Sequence, residues 1–211
     1  MAAARVWLLA GASGTGKSTI AYPLARRLRV PIVELDDIVE ALLAMTTEVQ
    51  LPVLHYWRTH PEASQQSVEA IVERQIAVAH ALIPAVEAII ANHLETDTSV
   101  LLEGDYLLPS TAVQASFAGQ PAAGRVSAIV LIEPDRATIT RNLSRREPAK
   151  GEQTTRAAVS REYGNWLANE AVVCGVPIVE ARPWPTAEAR VLTALERSPR
   201  PPDTRHRSPH P

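Results

Sequence analysis

Eight residues near the start of the chain, Gly11-Ala-Ser-Gly-Thr-Gly-Lys-Ser18, restrict the fold more than any other stretch. They complete the pattern G-x-x-x-x-G-K-[ST], a loop that closes around phosphate. The preceding run, Arg5-Val6-Trp7-Leu8-Leu9-Ala10, is apolar, as a strand buried in a parallel sheet should be. The segment from Ser18 to Val30 carries Ile20, Leu24 and Leu28 at four-residue steps, a helical period. Strand, glycine loop and helix therefore stand in the required order. Gly11, Gly14 and Gly16 allow the backbone to approach a ligand closely. The loop amides and the free helix N-terminus can then face an anion. The spacing assigns Lys17 to the phosphates, facing ligand or solvent, and the Ser18 hydroxyl to Mg²⁺. Ser13, Thr15 and Thr19 complete the cradle.

The 211 residues suit one domain, or a core carrying an inserted subdomain, and at 46% hydrophobic the chain can bury a substantial core. A formal net charge of −2 gives no global case for nucleic acid as a partner. The lone cysteine, Cys174, excludes an internal disulfide, reads as a packing residue and fits a reducing compartment. No basic n-region precedes the first apolar run, and no uncharged stretch reaches membrane-spanning length. The expectation is a cytoplasmic protein without membrane or nucleic-acid partners, a monomer or homodimer.

The second strand is expected over Pro31–Leu35, ending at Asp36-Asp37, with a helix over Ile38–Met45. Thr46–His60 reads as irregular and Glu62–Leu94 as helical, kinked or divided at Pro84. Further strands are expected at Ser99–Glu103, Val126–Ile132 and Pro177–Glu180, and Gly119–Gly124 reads as a loop. Helices are expected over Pro134–Arg146, Thr155–Val173 and Thr186–Arg197, the last with Thr186 as N-cap. Ser198–Pro211, rich in Pro, Arg and His, reads as a disordered tail. Five strands alternating with helices predict an α/β domain over 1–197, a five-stranded parallel sheet with helices on both faces. Ligands in such sheets bind at the C-terminal strand ends, which collects Asp36, Asp37, Glu103 and Asp105 beside the phosphate loop.

Within phosphate-loop proteins the chain lacks the Asn-Lys-x-Asp and Asp-x-x-Gly motifs of GTPases and the Leu-Ser-Gly-Gly-Gln signature of transport ATPases, and an AAA+ module would need a longer chain. Small-molecule kinases of the nucleoside-monophosphate-kinase layout remain. In that layout 46–98 is a helical acceptor-binding insert and 141–161 an arginine lid. Arg141, Arg145 and Arg146, with Arg156 and Arg161 beyond them, could surround a migrating phosphoryl group, or form an ordinary solvated helix face. Asp36 could take or orient an acceptor proton, or cap the following helix. Glu103, ending an apolar strand, is a candidate Mg²⁺ or catalytic carboxylate. His55-Tyr56-Trp57-Arg58 and His60 could line an acceptor pocket or pack a hinge. Arg182 or Trp184, after the last strand, could border an adenine.

The loop Gly11–Ala21, the strand end Leu35-Asp36 and Glu103-Gly-Asp-Tyr-Leu-Leu-Pro109 resemble the archaeal-type 2-phosphoglycerate kinases and their bacterial relatives among AAA-type P-loop ATPases. That family reads Glu-Gly-Val-His-Leu-Val-Pro-Gly at the third site; here Asp105, Tyr106 and Ser110 depart from it. It also carries Asp-x-Ile-Arg-Glu after the second strand, where this chain has Val39 for the arginine. The resemblance implies a P-loop NTPase fold and an ATP- and Mg²⁺-dependent kinase acting on a small hydroxylated acceptor. The departures argue against an acceptor that already bears a phosphate. A nucleotide or nucleoside kinase and an ATP-binding regulatory protein are the alternatives left open.

Overall fold

The computed structural model describes residues 3–197; the expected disordered tail, 198–211, lies outside the described residues. Val6–Ala10 forms β1, and all of its residues are buried. Its side chains divide by strand alternation. Val6, Leu8 and Ala10 enter one core layer, whereas Trp7 and Leu9 enter the other. That division marks a strand covered on both faces. β1 pairs in parallel with β3 (Val100–Gly104) on one side and β6 (Val126–Ile132) on the other, placing Leu8 beside Leu102 and Ala128. The strands β2 (Ile32–Glu34) and β7 (Ile178–Glu180) complete the sheet in the order β2-β3-β1-β6-β7. The five-stranded parallel sheet is as expected. A hairpin of two-residue strands, β4 (Ser116–Phe117) and β5 (Gln120–Pro121), stands apart from it, with β5 inside the segment read as a loop and β4 just before it.

Two helices cover one face. From α1 (Lys17–Leu28), Ile20 and Leu24 are buried; from α8 (Trp184–Arg197), Ala187, Val191 and Leu195 join the same core. The opposite face is covered by α2 (Leu35–Met45), α3 (Pro52–Thr59), α4 (Val68–Glu95), the short α5 (Pro109–Ala112) and α7 (Thr154–Cys174). The helix α6 (Arg136–Arg146) leads from β6 toward α7 through a 3₁₀ turn at Pro148–Lys150.

Four local expectations change. The irregular segment contains α3, begun by Pro52 at its first position, where the missing N–H costs nothing. The long helix begins at Val68 and continues through Pro84 as one element. Val78, Leu82, Val86 and Ile90, four residues apart, are buried along it, and this packing offsets the proline penalty of ~3 kcal/mol. By length and composition alone α4 could cross a membrane, but that apolar stripe is seated in the core. Thr186 lies within α8, its hydroxyl donating to Pro183 O, and so does not cap it. Asp36 and Asp37 occupy the first turn of α2, whose N-cap position is Glu34, so neither is the cap; both complement the helix dipole instead.

Candidate active site

The phosphate loop leaves β1 at Gly11, and a Cβ there would lie 2.5 Å from Leu131 O on β6, so only glycine lets the loop cross the sheet edge. Gly16 has φ 90°, and a side chain there would collide with the indole of Trp184. Thr15 is buried, its hydroxyl donating to Ala12 O at 2.8 Å. Gly11 and Thr15 thus shape the loop from behind, while Gly14, Gly16, Lys17, Ser18 and Thr19 line a cavity of about 430 Å³. Three α6 residues, Asn142, Arg145 and Arg146, form its far wall with Trp184. Asn142 Nδ2 donates to Gly14 O at 2.8 Å, fastening α6 to the loop.

A second cavity of about 260 Å³ lies on the other side of Lys17 and Ser18. Its walls carry Glu34, Asp36, Glu103 and Asp105, all from the C-terminal ends of β2 and β3 or just beyond. The register explains part of this convergence: Glu34 stands beside Glu103 on adjacent parallel strands. Ser13, Lys17, Ser18, Arg146 and Arg156 complete the polar surface. The two cavities share Lys17, Ser18 and Arg146.

Lys17 faces both cavities, as expected of a phosphate ligand, but it is largely shielded from solvent and already paired. Its side chain is 6% exposed, and its ammonium is held by Asp105, by Glu103 at 3.7 Å and by Ala12 O at 3.2 Å. Burial pulls its pKa down, but the carboxylates of Asp105, Glu103 and Asp36 outweigh this and raise it. Lys17 remains charged. Burial raises the Glu103 pKa, with Asp105 adding to the rise and Lys17 opposing it. Asp36 is exposed at the cavity mouth, yet partial desolvation and the Asp105 charge raise its pKa as well. Burial, reinforced by Asp105, pushes the Tyr106 phenol upward, so this wall residue keeps its proton. Asp105 is positioned through its backbone, where the Tyr163 hydroxyl donates to its carbonyl at 3.0 Å.

The arginines expected to form a lid separate. Arg145 and Arg146 line the larger cavity, and Arg146 donates to Ser13 Oγ at 3.1 Å. Arg141, one turn nearer the start of α6, instead donates to Thr138 Oγ1 at 2.6 Å and lies 3.7 Å from Asp135. It is not brought to the site. Arg156 lines the smaller cavity while donating to Glu147 at 2.8 Å; Arg161 lines neither cavity. Glu147 gathers Arg146, Lys150 and Arg156, and hydrogen bonds from Lys150 and Arg156 lower its pKa to about 2.

Arg182 does not border the nucleotide cavity. It forms a two-point ion pair with Glu133 at 2.7 and 2.8 Å, tying the segment after β7 to the end of β6. The neighbouring aromatic, Trp184, is the one turned to the loop. In the insert, His55 is buried against Thr46 at 3.1 Å, Arg58 pairs with Glu40 at 2.7 Å, and Tyr56 stacks with His60 beneath Arg74. None of these lines either of the two cavities. Sequence reasoning missed Glu34, Gln75, Asn142 and Ser160; Ser160 Oγ donates to Ser13 O. Asn142 carried a usable signal, since it precedes Arg145 and Arg146 by three and four residues on one helix face.

The residues present fit a nucleotide phosphate chain at the loop, on the chemistry of the donor set: the ammonium of Lys17, the Ser18 hydroxyl and the guanidinium groups of Arg145 and Arg146 line one cavity at the start of α1. Among the described residues no three His, Cys, Asp or Glu side chains converge to hold a metal ion. A cation here would therefore take its ligands mainly from phosphate oxygens, with Ser18 as the protein contribution.

A phosphate loop on a β2-β3-β1-β6-β7 sheet, with arginines over one cavity and carboxylates around its neighbour, defines a P-loop nucleotide-binding α/β domain. The chain belongs to the AAA domain family, whose model matches residues 6–165. This agrees with the resemblance to AAA-type P-loop ATPases carried by the loop. The chain is 31% identical over 111 residues to the 2-phosphoglycerate kinase of Methanocaldococcus jannaschii, a match covering 50% of this chain and 35% of that protein. It is 32% identical over 114 residues to that of Methanococcus maripaludis, covering 48% and 36%. The match thus spans about a third of the length of these curated relatives. The fold is similar to shikimate kinase from Acinetobacter baumannii, with TM-score 0.50 and 13% identity over 92% of both chains. It is also similar to a putative kinase from Chloroflexus aurantiacus, with TM-score 0.50 and 14% identity over 93% of this chain and 96% of that one.

Proposed function

We propose that the chain is an ATP- and Mg²⁺-dependent phosphotransferase that phosphorylates a hydroxyl of a small metabolite. The observation that carries this reading is the pair of cavities meeting at Lys17, Ser18 and Arg146. One offers amides and cations to a phosphate chain; the other offers carboxylates to an alcohol. A group passing between them would cross the three residues best suited to its charge. Mg²⁺ supplies charge neutralisation on the phosphates when bound.

The chain's own residues divide the work. The loop amides and Lys17 bind and orient the phosphates. Arg145 and Arg146 close over them and exclude water. Asp36 accepts the acceptor hydroxyl's proton at its carboxylate, the raised pKa making it a stronger base than a free aspartate. Glu103 and Asp105 hold Lys17 until phosphate competes for it.

The acceptor is neutral or cationic. Once Lys17 and Arg146 turn to phosphate, the smaller cavity keeps Glu34, Asp36, Glu103 and Asp105, and its remaining guanidinium, Arg156, is already paired with Glu147. A phosphate ester would meet four carboxylates without a free cation. Arg58, which could have supplied one, is committed to Glu40 at the surface. 2-Phosphoglycerate, the acceptor after which those relatives are named, is therefore expected to be a poor acceptor here. Acceptor-dependent ADP release, measured over a panel of uncharged sugars, amino-alcohols and 2-phosphoglycerate, tests both statements. No stimulation by any acceptor overturns the kinase reading, and efficient turnover of 2-phosphoglycerate overturns the charge argument.

A further inference from the structure

The smaller cavity does not end at the carboxylates. Gln75 on α4, with Arg156 and Val159 on α7, forms a partition whose far side lines another cavity of about 440 Å³. That outer chamber lies between the insert and the lid. Trp57 on α3 and Ile71 on α4 supply its apolar wall, and Lys150 and Thr155 supply polar wall from the lid side. At the partition, Gln75 Oε1 is buried and has no hydrogen-bond partner among the described residues. A buried amide oxygen without a donor costs about 1–3 kcal/mol, so the site is complete only when something donates to it.

We propose that the outer chamber is a second acceptor subsite, and that the acceptor is a ring-bearing polyhydroxyl or amino-alcohol spanning both chambers. This rests on the kinase reading above and deepens it. The reacting hydroxyl lies in the inner chamber near Lys17 and Asp36. An O–H or N–H at the acceptor's waist donates to Gln75 Oε1. The ring lies against Trp57 and Ile71, where the apolar face of a sugar or similar ring loses contact with water. A three-carbon acid would fill the inner chamber alone and leave both Gln75 Oε1 and the Trp57 wall unused. Because one chamber is walled by insert and lid together, a spanning acceptor also draws Lys150 and Arg156 toward the insert. Water exclusion then depends on acceptor length.

The test compares glycerol, 2-phosphoglycerate, glucosamine and maltose as acceptors for the full chain with ATP and Mg²⁺, in wild type, Trp57→Ala and Gln75→Ala. Wild type is expected to prefer the ring-bearing acceptors. Each substitution should raise their KM about tenfold relative to glycerol, while KM for ATP stays within twofold of wild type. Thermal melts establish folding, and because Trp57 is partly buried, Gln75→Ala decides the matter if Trp57→Ala melts early. Turnover of glycerol or 2-phosphoglycerate in preference to rings, or an equal KM change for short and ring-bearing acceptors, overturns the two-chamber proposal and leaves the kinase reading standing. Absence of acceptor-dependent ADP release throughout the wild-type panel overturns the kinase reading, and this proposal with it.

Discussion

The two sides of Lys17 are built differently. On the nucleotide side, one contiguous loop supplies most of the surface, and its donors are backbone amides fixed by glycine geometry and by internal bonds such as Thr15 to Ala12 O. On the side proposed for the acceptor, residues from β2, α2, β3, α4, α6 and α7 join those of the loop, and four carboxylates crowd a small cavity. The first side combines backbone partial charges with the cations of Lys17, Arg145 and Arg146. The second carries full charges, and burial, reinforced by the neighbouring Asp105, raises the pKa values of Asp36 and Glu103. A site for a shared cosubstrate can be made from backbone, whereas a site for one particular acceptor needs side chains from distant segments.

Replacing Lys17 would test that contrast most severely. Lys17→Ala is expected to lower kcat by about 10²–10³-fold, by removing the cation shared by both cavities. It should also destabilise the fold by roughly 1–3 kcal/mol at neutral pH, because Glu103 loses its counter-charge in a buried setting. Adding Glu103→Gln to Lys17→Ala should restore much of the melting temperature and none of the activity. A wild-type rate in Lys17→Ala breaks the assignment of this cavity pair to phosphoryl transfer.

Asp36→Asn is expected to lower kcat by about 10²–10⁴-fold while leaving ATP binding intact. Its stability effect should be neutral or favourable at pH 7. The folded state raises the pKa of this carboxyl, so Asp36 favours folding at low pH and loses that contribution as pH rises through the raised value. An amide removes the dependence. The acid limb of the wild-type kcat profile should accordingly lie above the ordinary aspartate pKa of about 3.9 and disappear in the variant. Unchanged turnover in folded Asp36→Asn would move the proton to Glu103.

The contrast also governs what could be read from the sequence. The loop was legible because its chemistry needs eight adjacent residues and a flanking strand and helix. Glu103 was legible because a charge ending an apolar strand must have a use. Glu34 was not: it lies in the short β2, and only the pairing with β3 sets it beside Glu103. Gln75 was hidden in the middle of α4, more than fifty residues from the loop, with no spacing to tie it there. Arg141 and Arg182 misled, because charge near the right strand end does not reveal that Asp135 and Glu133 already hold it.

A smaller effect separates the lid arginines. Arg146→Ala is expected to reduce kcat by about 10- to 100-fold and to reduce it more than it weakens ATP binding, since Arg146 stands between the cavities. Arg141→Ala should leave both kinetic constants unchanged and alter stability by no more than about 0.5 kcal/mol, because its guanidinium is largely exposed and its partners, Asp135 and Thr138, stand at the start of its own helix. Steady-state kinetics on the pair checks this, and a large loss in Arg141→Ala would place the phosphate path along a different face of α6.

The subtlest expected change is at Glu147, which holds Arg146 from the shared wall and Lys150 and Arg156 from the acceptor side. With its pKa lowered to about 2 by Lys150 and Arg156, Glu147 contributes order above the ordinary glutamate range, and that contribution is lost only as pH falls toward 2. Glu147→Gln should therefore resemble very acidic solvent at this one position. Without the shared carboxylate, three cations repel within one turn and its neighbour. Amide exchange over residues 146–156 should then accelerate several-fold in the free protein while the sheet stays protected. Excess ATP should restore most of that protection, because phosphate can replace Glu147 as the anion opposite Arg146. Exchange unchanged by the substitution would mean that backbone contacts alone order the lid. Protection that ATP cannot restore would mean that Arg146 serves the acceptor side only, and the two cavities would then share Lys17 and Ser18 alone.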